Sequence, residues 1–196
     1  MLELTFESTQ TLSQEAFRRF ALKRWGRDSN HYELLNGRVV MNPPAAFPHG
    51  QVGARVAALL VRYGDQTRQG IALDSSQGFE LPSGDTVEPD ASFFSKARWD
   101  QAKGQAVEGE FLHVVPDLVV EVLSPATASH DRGEKKAIYE RNGVREYWLL
   151  DWRSRDLTIF HLVDGRFDLG KVFGEADRAR SEVLTGLEVV VRDLLP

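Results

Sequence analysis

Cysteine is absent from this chain of 196 residues. That single absence excludes disulfides, thiolate metal sites and cysteine nucleophiles together. No apolar run approaches the ~18 residues that a membrane-crossing helix requires. Met1-Leu2-Glu3-Leu4 carries neither the basic stretch nor the apolar core of a secretory signal, so a cytoplasmic protein is expected. A glycine-rich phosphate loop of the Walker or dinucleotide type is missing too. Ser124 precedes a proline and lacks a Gly-x-Ser-x-Gly elbow, which argues against serine hydrolase chemistry. The five histidines (His31, His49, His113, His130, His161) form no HxxxH pair, which argues against zinc. Positive charge is also short. Lys and Arg total 24 against 29 Asp and Glu, a net charge of −5. A general nucleic-acid coat needs clustered cations, but a local basic groove, or carboxylates gathered round a metal, remains compatible with this balance.

With 42% hydrophobic residues the chain can bury the core of one ordinary domain, taken as residues 1–196. Its centre is Asp117-Leu118-Val119-Val120-Glu121-Val122-Leu123, bracketed by Pro116 and Pro125. The valine-rich run predicts a strand buried on both faces. Alternation puts Asp117, Val119, Glu121 and Leu123 on one face, and Leu118, Val120 and Val122 on the other. Glu121 is thus a carboxylate in a dry place, where an unpaired ion costs several kcal/mol, on the order of the ion desolvation penalty. It needs a partner: a metal, a lysine, or a buried arginine such as Arg145 or Arg141 in a structural ion pair.

Around this strand the sequence predicts a helix over residues 11–25, capped by Thr11 or Ser13, with Arg18, Arg19, Lys23 and Arg24 on its polar face. Those cations suit either solvent or phosphate. Tyr32–Leu35 and Arg38–Met41 flank Asn36-Gly37, a strong hairpin signal, because a type I′ turn needs positive φ at both central residues. A long helix is expected from His49 to about Arg68. A meander is expected over 71–94, whose last strand, Thr86–Phe94, carries Asp90 after Pro89. A polar connection with one short helix fills 95–115. Asp131 is expected to cap a helix running to Asn142, with Glu134 at the box position and Gly143 after its end. Strands follow over 145–152, 157–163, 166–173 and 182–191. The sum is an α+β protein, or one with a mixed sheet.

Two carboxylates on neighbouring strands, Asp90 and Glu121, can hold Mg²⁺, which takes one or two protein carboxylates plus water and phosphate oxygens. A nearby lysine can position water and offset charge on the phosphate. Lys135 shares a helical stripe with Asp131 and Tyr139 and is expected to face inward; Lys136, four residues before Glu140, reads as a surface ion pair. Each residue has a plainer alternative. Asp90 can cap a turn, and Lys135 can be a solvated helix residue.

The series Pro89-Asp90, Pro116-Asp117-Leu118-Val119-Val120-Glu121-Val122-Leu123-Ser124-Pro125, Asp131-xxx-Lys135-xxx-Tyr139, Gly143-Val144 and Glu146-Tyr147-Trp148-Leu149-Leu150-Asp151 resembles the restriction-endonuclease family known by the Uma name. Tyr32-Glu33-Leu34-xx-Gly37 and His49 match the same family, and the resemblance covers roughly residues 11–190. It implies a restriction-endonuclease-like core of the PD-(D/E)XK superfamily, a mixed central sheet flanked by helices with additional hairpins. By resemblance, Asp90 and Glu121 are the paired carboxylates. Leu123 stands where the strand lysine is usual, and the lysine maps onto Lys135 in the following helix. Glu33 resembles a further acidic residue, a third metal ligand; on its own pattern it reads equally as an outward hairpin residue. His49 is a candidate substrate contact. The implied activity is an endonuclease that hydrolyses nucleic acid, DNA in the first instance, with Mg²⁺ or Mn²⁺, as a homodimer and away from membranes. A non-catalytic nucleic-acid binder or oligomer of the same fold, and a hydrolase of small phosphate esters, are the alternatives.

Overall fold

The computed structural model describes residues 6–24, 27–44 and 46–196. In chain order the elements are β1 Phe6–Thr11, α1 Gln14–Leu22, β2 His31–Leu35, β3 Arg38–Asn42, α2 His49–Thr67, β4 Gly70–Asp74, β5 Phe79–Glu80, β6 Thr86–Val87, β7 Ala91–Ser95, α3 Lys96–Ala102, and β8 Leu118–Val122. Then come α4 Ala128–His130, a π turn Asp131–Lys135, and α5 Lys136–Arg141. The chain closes with β9 Glu146–Asp151, β10 Asp156–Val163, β11 Arg166–Phe167, β12 Lys171–Gly174, β13 Arg178–Arg180 and β14 Glu188–Val190.

The strands form two main sheets. The larger runs β11-β10-β9-β8-β7-β4, with β12 also pairing β10; the smaller runs β1-β3-β2-β6-β5. In the larger sheet only β8 and β9 run parallel among these pairs, so the sheet is mixed. Parallel neighbours need a crossover, and α4, the π turn and α5 supply it. All five residues of β8 are buried. Its faces divide as the period of two requires. Leu118, Val120 and Val122 pack with Val52, Val56 and Leu60 of α2, while Val119 and Leu123 pack with Ile138 and Tyr139 of α5 and with Leu35 and Val40 of the smaller sheet. On the outer face of that smaller sheet, Phe17 and Ala21 of α1 cover Leu34 and Val39. Each fully buried apolar side chain here contributes about 1.5–3 kcal/mol relative to exposure, and the two cores on either side of β8 fix where Glu121 points.

Local expectations hold where short-range chemistry decides. Ser13 caps α1 by accepting from the Ala16 N–H, and the Asn36-Gly37 turn has φ of 49° and 81°. Trp25, the predicted end of that helix, lies outside the described residues. Four expectations are corrected. The predicted strand Thr86–Phe94 breaks at Glu88-Pro89-Asp90, and its halves join different sheets: β6 pairs β2 and β5, while β7 pairs β4 and β8. Pro89 has no N–H for a ladder, so Asp90 sits in the bend between sheets rather than on a strand. The helix after β8 starts at Ala128 rather than at Asp131. Asp131 lies inside the rod, at the head of the π turn, so its side chain is not a cap. Finally, 166–173 divides into β11 and β12, which pair with different ends of β10, and 182–191 is mostly loop, with only Glu188–Val190 extended. A strand the sequence did not announce, β1, pairs with β3.

Candidate functional site: buried carboxylates around Lys135

Several buried acids in this protein are plainly structural. Asp117 accepts from the Ser95 N–H and faces Arg98 and Arg145. Glu146 accepts from Trp148 Nε1 at 2.6 Å and from the N–H groups of Glu182 and Val183. Asp85 accepts from the Asn36 N–H and pairs with Arg141, while Glu80 pairs with Arg18 and His113. Arginine and backbone donors satisfy each of them. Arg141 and Arg145, the arginines considered as partners of Glu121, are therefore committed elsewhere. On the basic face of α1, Arg18 pairs with Glu80, Arg19 forms a solvent-exposed pair with Glu15, Arg24 lies over the Phe20 ring, and Lys23 is exposed.

Glu121 belongs to a different group. Its Oε1 accepts from Tyr139 Oη at 2.6 Å and lies 2.6 Å from Lys135 Nζ. The same ammonium is 3.0 Å from Glu33 Oε1 and 3.7 Å from Asp131 Oδ1. Glu33, Glu121, Asp131 and Lys135 are each no more than 4% exposed. One buried cation thus faces three buried carboxylates. The expected choice of Lys135 over Lys136 follows from the stripe through Asp131 and Tyr139. Lys136 points away, its Nζ 3.8 Å above the Phe160 ring. It makes no ion pair with Glu140, whose Oε2 accepts from the Phe167 N–H instead. The plainer readings of Glu33 as an outward residue and of Lys135 as a solvated one are overturned by their burial. Glu33 comes from β2 on the face shared with Leu35, which carries it across to β8; its carboxylate also accepts from the Glu88 N–H and from Asn42 Nδ2.

Asp90 reaches the site from the bend before β7. Its Oδ2 accepts from the Val122 N–H at 2.7 Å and lies 3.3 Å from His49 Nε2, at the start of α2. The two contacts of Asp90 therefore fall on Oδ2 and the two of Glu121 on Oε1. Among the described residues no hydrogen bond reaches the second oxygen of either carboxylate. Asp90, Glu121, Glu33, Asp131, Lys135 and His49 all line one cavity of about 860 Å³.

Charge in this pocket is skewed. Burial raises the Glu121 pKa well above the carboxylate range; Lys135 opposes the shift, and the negative charges of Asp131, Asp90 and Glu33 add to it. Burial likewise raises Asp131, to about 6. For Lys135 burial disfavours the charge, but Glu121, Glu33 and Asp131 outweigh it, so its pKa rises and it remains an ammonium. Burial also works against charge on His49, yet the hydrogen bond and charge of Asp90 prevail and raise its pKa. A second imidazole, His31, is raised by its hydrogen bond to Glu88 at 2.9 Å. Asp131, Glu88 and His31 are cavity residues that sequence reasoning did not assign to the site. For Asp131 the signal was its spacing of four from Lys135; for the His31–Glu88 pair, drawn from separate parts of the chain, there was none.

The donor set suits a hard divalent cation in kind, since surplus carboxylate oxygens that repel one another are what Mg²⁺ and Mn²⁺ bind. Among the described residues, however, no group of three or more His, Asp or Glu forms a ready-made metal cage. Lys135 already makes the charge-balancing contacts to Glu33, Glu121 and Asp131.

Among known proteins, a family model described as Uma2, "Putative restriction endonuclease", matches residues 15–192. A search of curated proteins finds no match. Among solved structures the chain is similar to one described as a putative nuclease belonging to DUF820 from Anabaena variabilis, with a TM-score of 0.72 and 14% identity over 93% of this chain and 97% of that one. At that identity the likeness establishes the fold, which is the restriction-endonuclease-like one expected. With nearly its whole length matched by the family model, the chain belongs to the Uma2 family of restriction-endonuclease-like proteins.

Proposed function

We propose that this protein is a divalent-metal-dependent endonuclease that hydrolyses phosphodiester bonds of nucleic acid, DNA in the first instance. The observation that carries the reading is the pair Asp90 and Glu121, each with one oxygen anchored and the other uncommitted, beside a buried ammonium in one cavity. Asp90 and Glu121 are the residues that would hold Mg²⁺ or Mn²⁺, with Glu33 as a third carboxylate. Such an ion supplies positive charge against the phosphate and acidifies water.

The rest belongs to the side chains. The Lys135 ammonium, kept charged by its three carboxylates, donates to a non-bridging phosphate oxygen and opposes the negative charge that builds as water bonds to phosphorus, releases its proton to solvent and displaces the leaving nucleoside oxygen. Tyr139 fixes the Glu121 carboxylate by donating to Oε1, and Asp131 holds Lys135 from within the same rod. His49, tethered to Asp90 at the start of α2, meets the substrate phosphate chain.

The contacts of Lys135 also favour a second reading, in which the ammonium permanently neutralises the acids and the protein binds nucleic acid without cutting it. Mn²⁺ titration by calorimetry, on wild type, Asp90→Asn and Glu121→Gln, separates the two. A nuclease shows one Mn²⁺ site that both substitutions weaken, together with hydrolysis of DNA. Absence of a carboxylate-dependent site, or cleavage of a chromogenic phosphodiester but not DNA, rejects the proposed activity.

A further inference from the structure

The cavity has an asymmetric wall that the metal chemistry leaves unexplained. Its charged lining is mostly acidic: besides Glu33, Asp90, Glu121 and Asp131, Asp74 and Glu88 line it, while Arg153 is the one arginine among the described lining residues. A duplex and a single strand alike are held partly through phosphates matched by lysine or arginine, so with Arg153 the one arginine of this lining the grip must come mainly from something other than charge. Apolar groups stand there instead. Pro43, Pro44 and Pro48 line the mouth together with Phe47, whose side chain is 83% exposed. With the three prolines beside it, the Phe47 ring makes one edge of the mouth continuously apolar.

The wall formed by α2 is equally distinctive. Gly50, Gly53, Ala54 and Ala57 follow the i, i+3, i+4, i+7 pattern of one helical stripe, and all four line the cavity. A Cβ placed on Gly50 or Gly53 would meet nothing within 4 Å. Those glycines are therefore not forced by close packing. They leave the cavity wall bare. A flat, bare wall, an exposed ring at its end and one guanidinium held 5.1 Å from the Trp152 ring centroid suit a planar base and a single phosphate. Stacking on an aromatic ring accepts any base, because every base has a π-face.

We propose that the cavity takes an unpaired polynucleotide strand, with one unstacked base lying along the bare stripe of α2 against Phe47 and its phosphate chain passing Arg153. The inference rests on the nucleic-acid reading above and narrows its substrate to single strands. Phe47 is a binding residue here and takes no part in the chemistry.

The test is binding of a short fluorescent oligonucleotide carrying 2-aminopurine, in Ca²⁺, offered as single-stranded DNA, single-stranded RNA and duplex DNA. Wild type, Phe47→Ala, Gly53→Leu and Arg153→Ala are compared, with circular dichroism to confirm folding. The single strand is expected to bind more tightly than the duplex and to quench 2-aminopurine. Phe47→Ala is expected to weaken binding on the order of tenfold, the usual effect of removing one stacking ring. Gly53→Leu, which fills the stripe, should do the same. Whichever of DNA and RNA binds better assigns the sugar, and either supports the single-strand reading. Duplex binding as tight as single-strand binding, or wild-type quenching by Phe47→Ala and Gly53→Leu, overturns it. A duplex-cleaving enzyme indifferent to Phe47 would retain the nuclease activity and lose this inference. Phe47-dependent strand binding without cleavage would do the reverse.

Discussion

Replacing Lys135 by Met removes the single ammonium that faces Glu33, Glu121 and Asp131 at 3.0, 2.6 and 3.7 Å. The side chain of Lys135 is 5% exposed, so water cannot take over its role. Breaking a buried ion pair by deleting one partner costs about 3–5 kcal/mol, because the remaining charge is left uncompensated. A domain of this size has only about 5–15 kcal/mol to lose. The cost also has a pH signature. Asp131 already has its pKa raised to about 6 from an ordinary 3.8. The folded state therefore holds its proton more tightly than the unfolded one, and stability declines as pH rises, by on the order of 3 kcal/mol between about pH 4 and 6. Lys135 lowers the pKa of Asp131 and Glu121. Without it both rise further, and the decline extends to higher pH. Urea unfolding followed by the fluorescence of the buried Trp148 should show Lys135→Met less stable than wild type by about 3 kcal/mol or more at pH 8. The gap should shrink towards pH 5, where Asp131 and Glu121, both raised, take up protons. A difference below about 1 kcal/mol at pH 8, or one that grows on acidification, would refute the picture of a buried charge cluster.

Other substitutions separate site from scaffold. Glu121→Gln keeps an oxygen acceptor for Tyr139, and Lys135 retains Glu33 and Asp131, so it should abolish cleavage yet cost less stability than Lys135→Met, which activity assays and urea unfolding check together. Glu146→Ala strands the buried Trp148 Nε1–H and two part-buried backbone N–H groups and should cost about 3 kcal/mol, with residual activity in whatever fraction remains folded. Gly70→Ala places a Cβ 1.9 Å from the Phe94 carbonyl oxygen and 2.6 Å from the Phe93 ring; a loss of about 3 kcal/mol is expected, visible as a lowered thermal midpoint.

The central strand was legible because its signal is local. A valine run between prolines, with period two, set which face Glu121 shares with Val119 and Leu123, and the packing of β8 follows that division. The Asn36-Gly37 hairpin and the helix from His49 were legible for the same reason, since turn chemistry and a 3.6-residue stripe are short-range. The preference for Lys135 over Lys136 came from one stripe of one helix. What escaped depends on distant partners. Pro89 marked a break, but only the pairing of β6 with β2 and of β7 with β8 shows that the break carries Asp90 between sheets. Asp131 has the sequence neighbours of a helix cap, and the three residues of α4 that precede it change its role. Pairing of Glu88 with His31 and of Glu33 with Lys135 joins segments far apart in the chain, where no periodicity reaches.

The most direct measurement is cleavage of circular DNA, single-stranded and supercoiled side by side, in Mg²⁺ and separately in Mn²⁺, by wild type, Glu121→Ala and Lys135→Ala. Wild type is expected to open the circles in at least one metal, and both variants to lose that activity. Intact circles with folded wild type in either metal, or cleavage undiminished in Glu121→Ala, would contradict the assignment of this cavity as a nuclease centre.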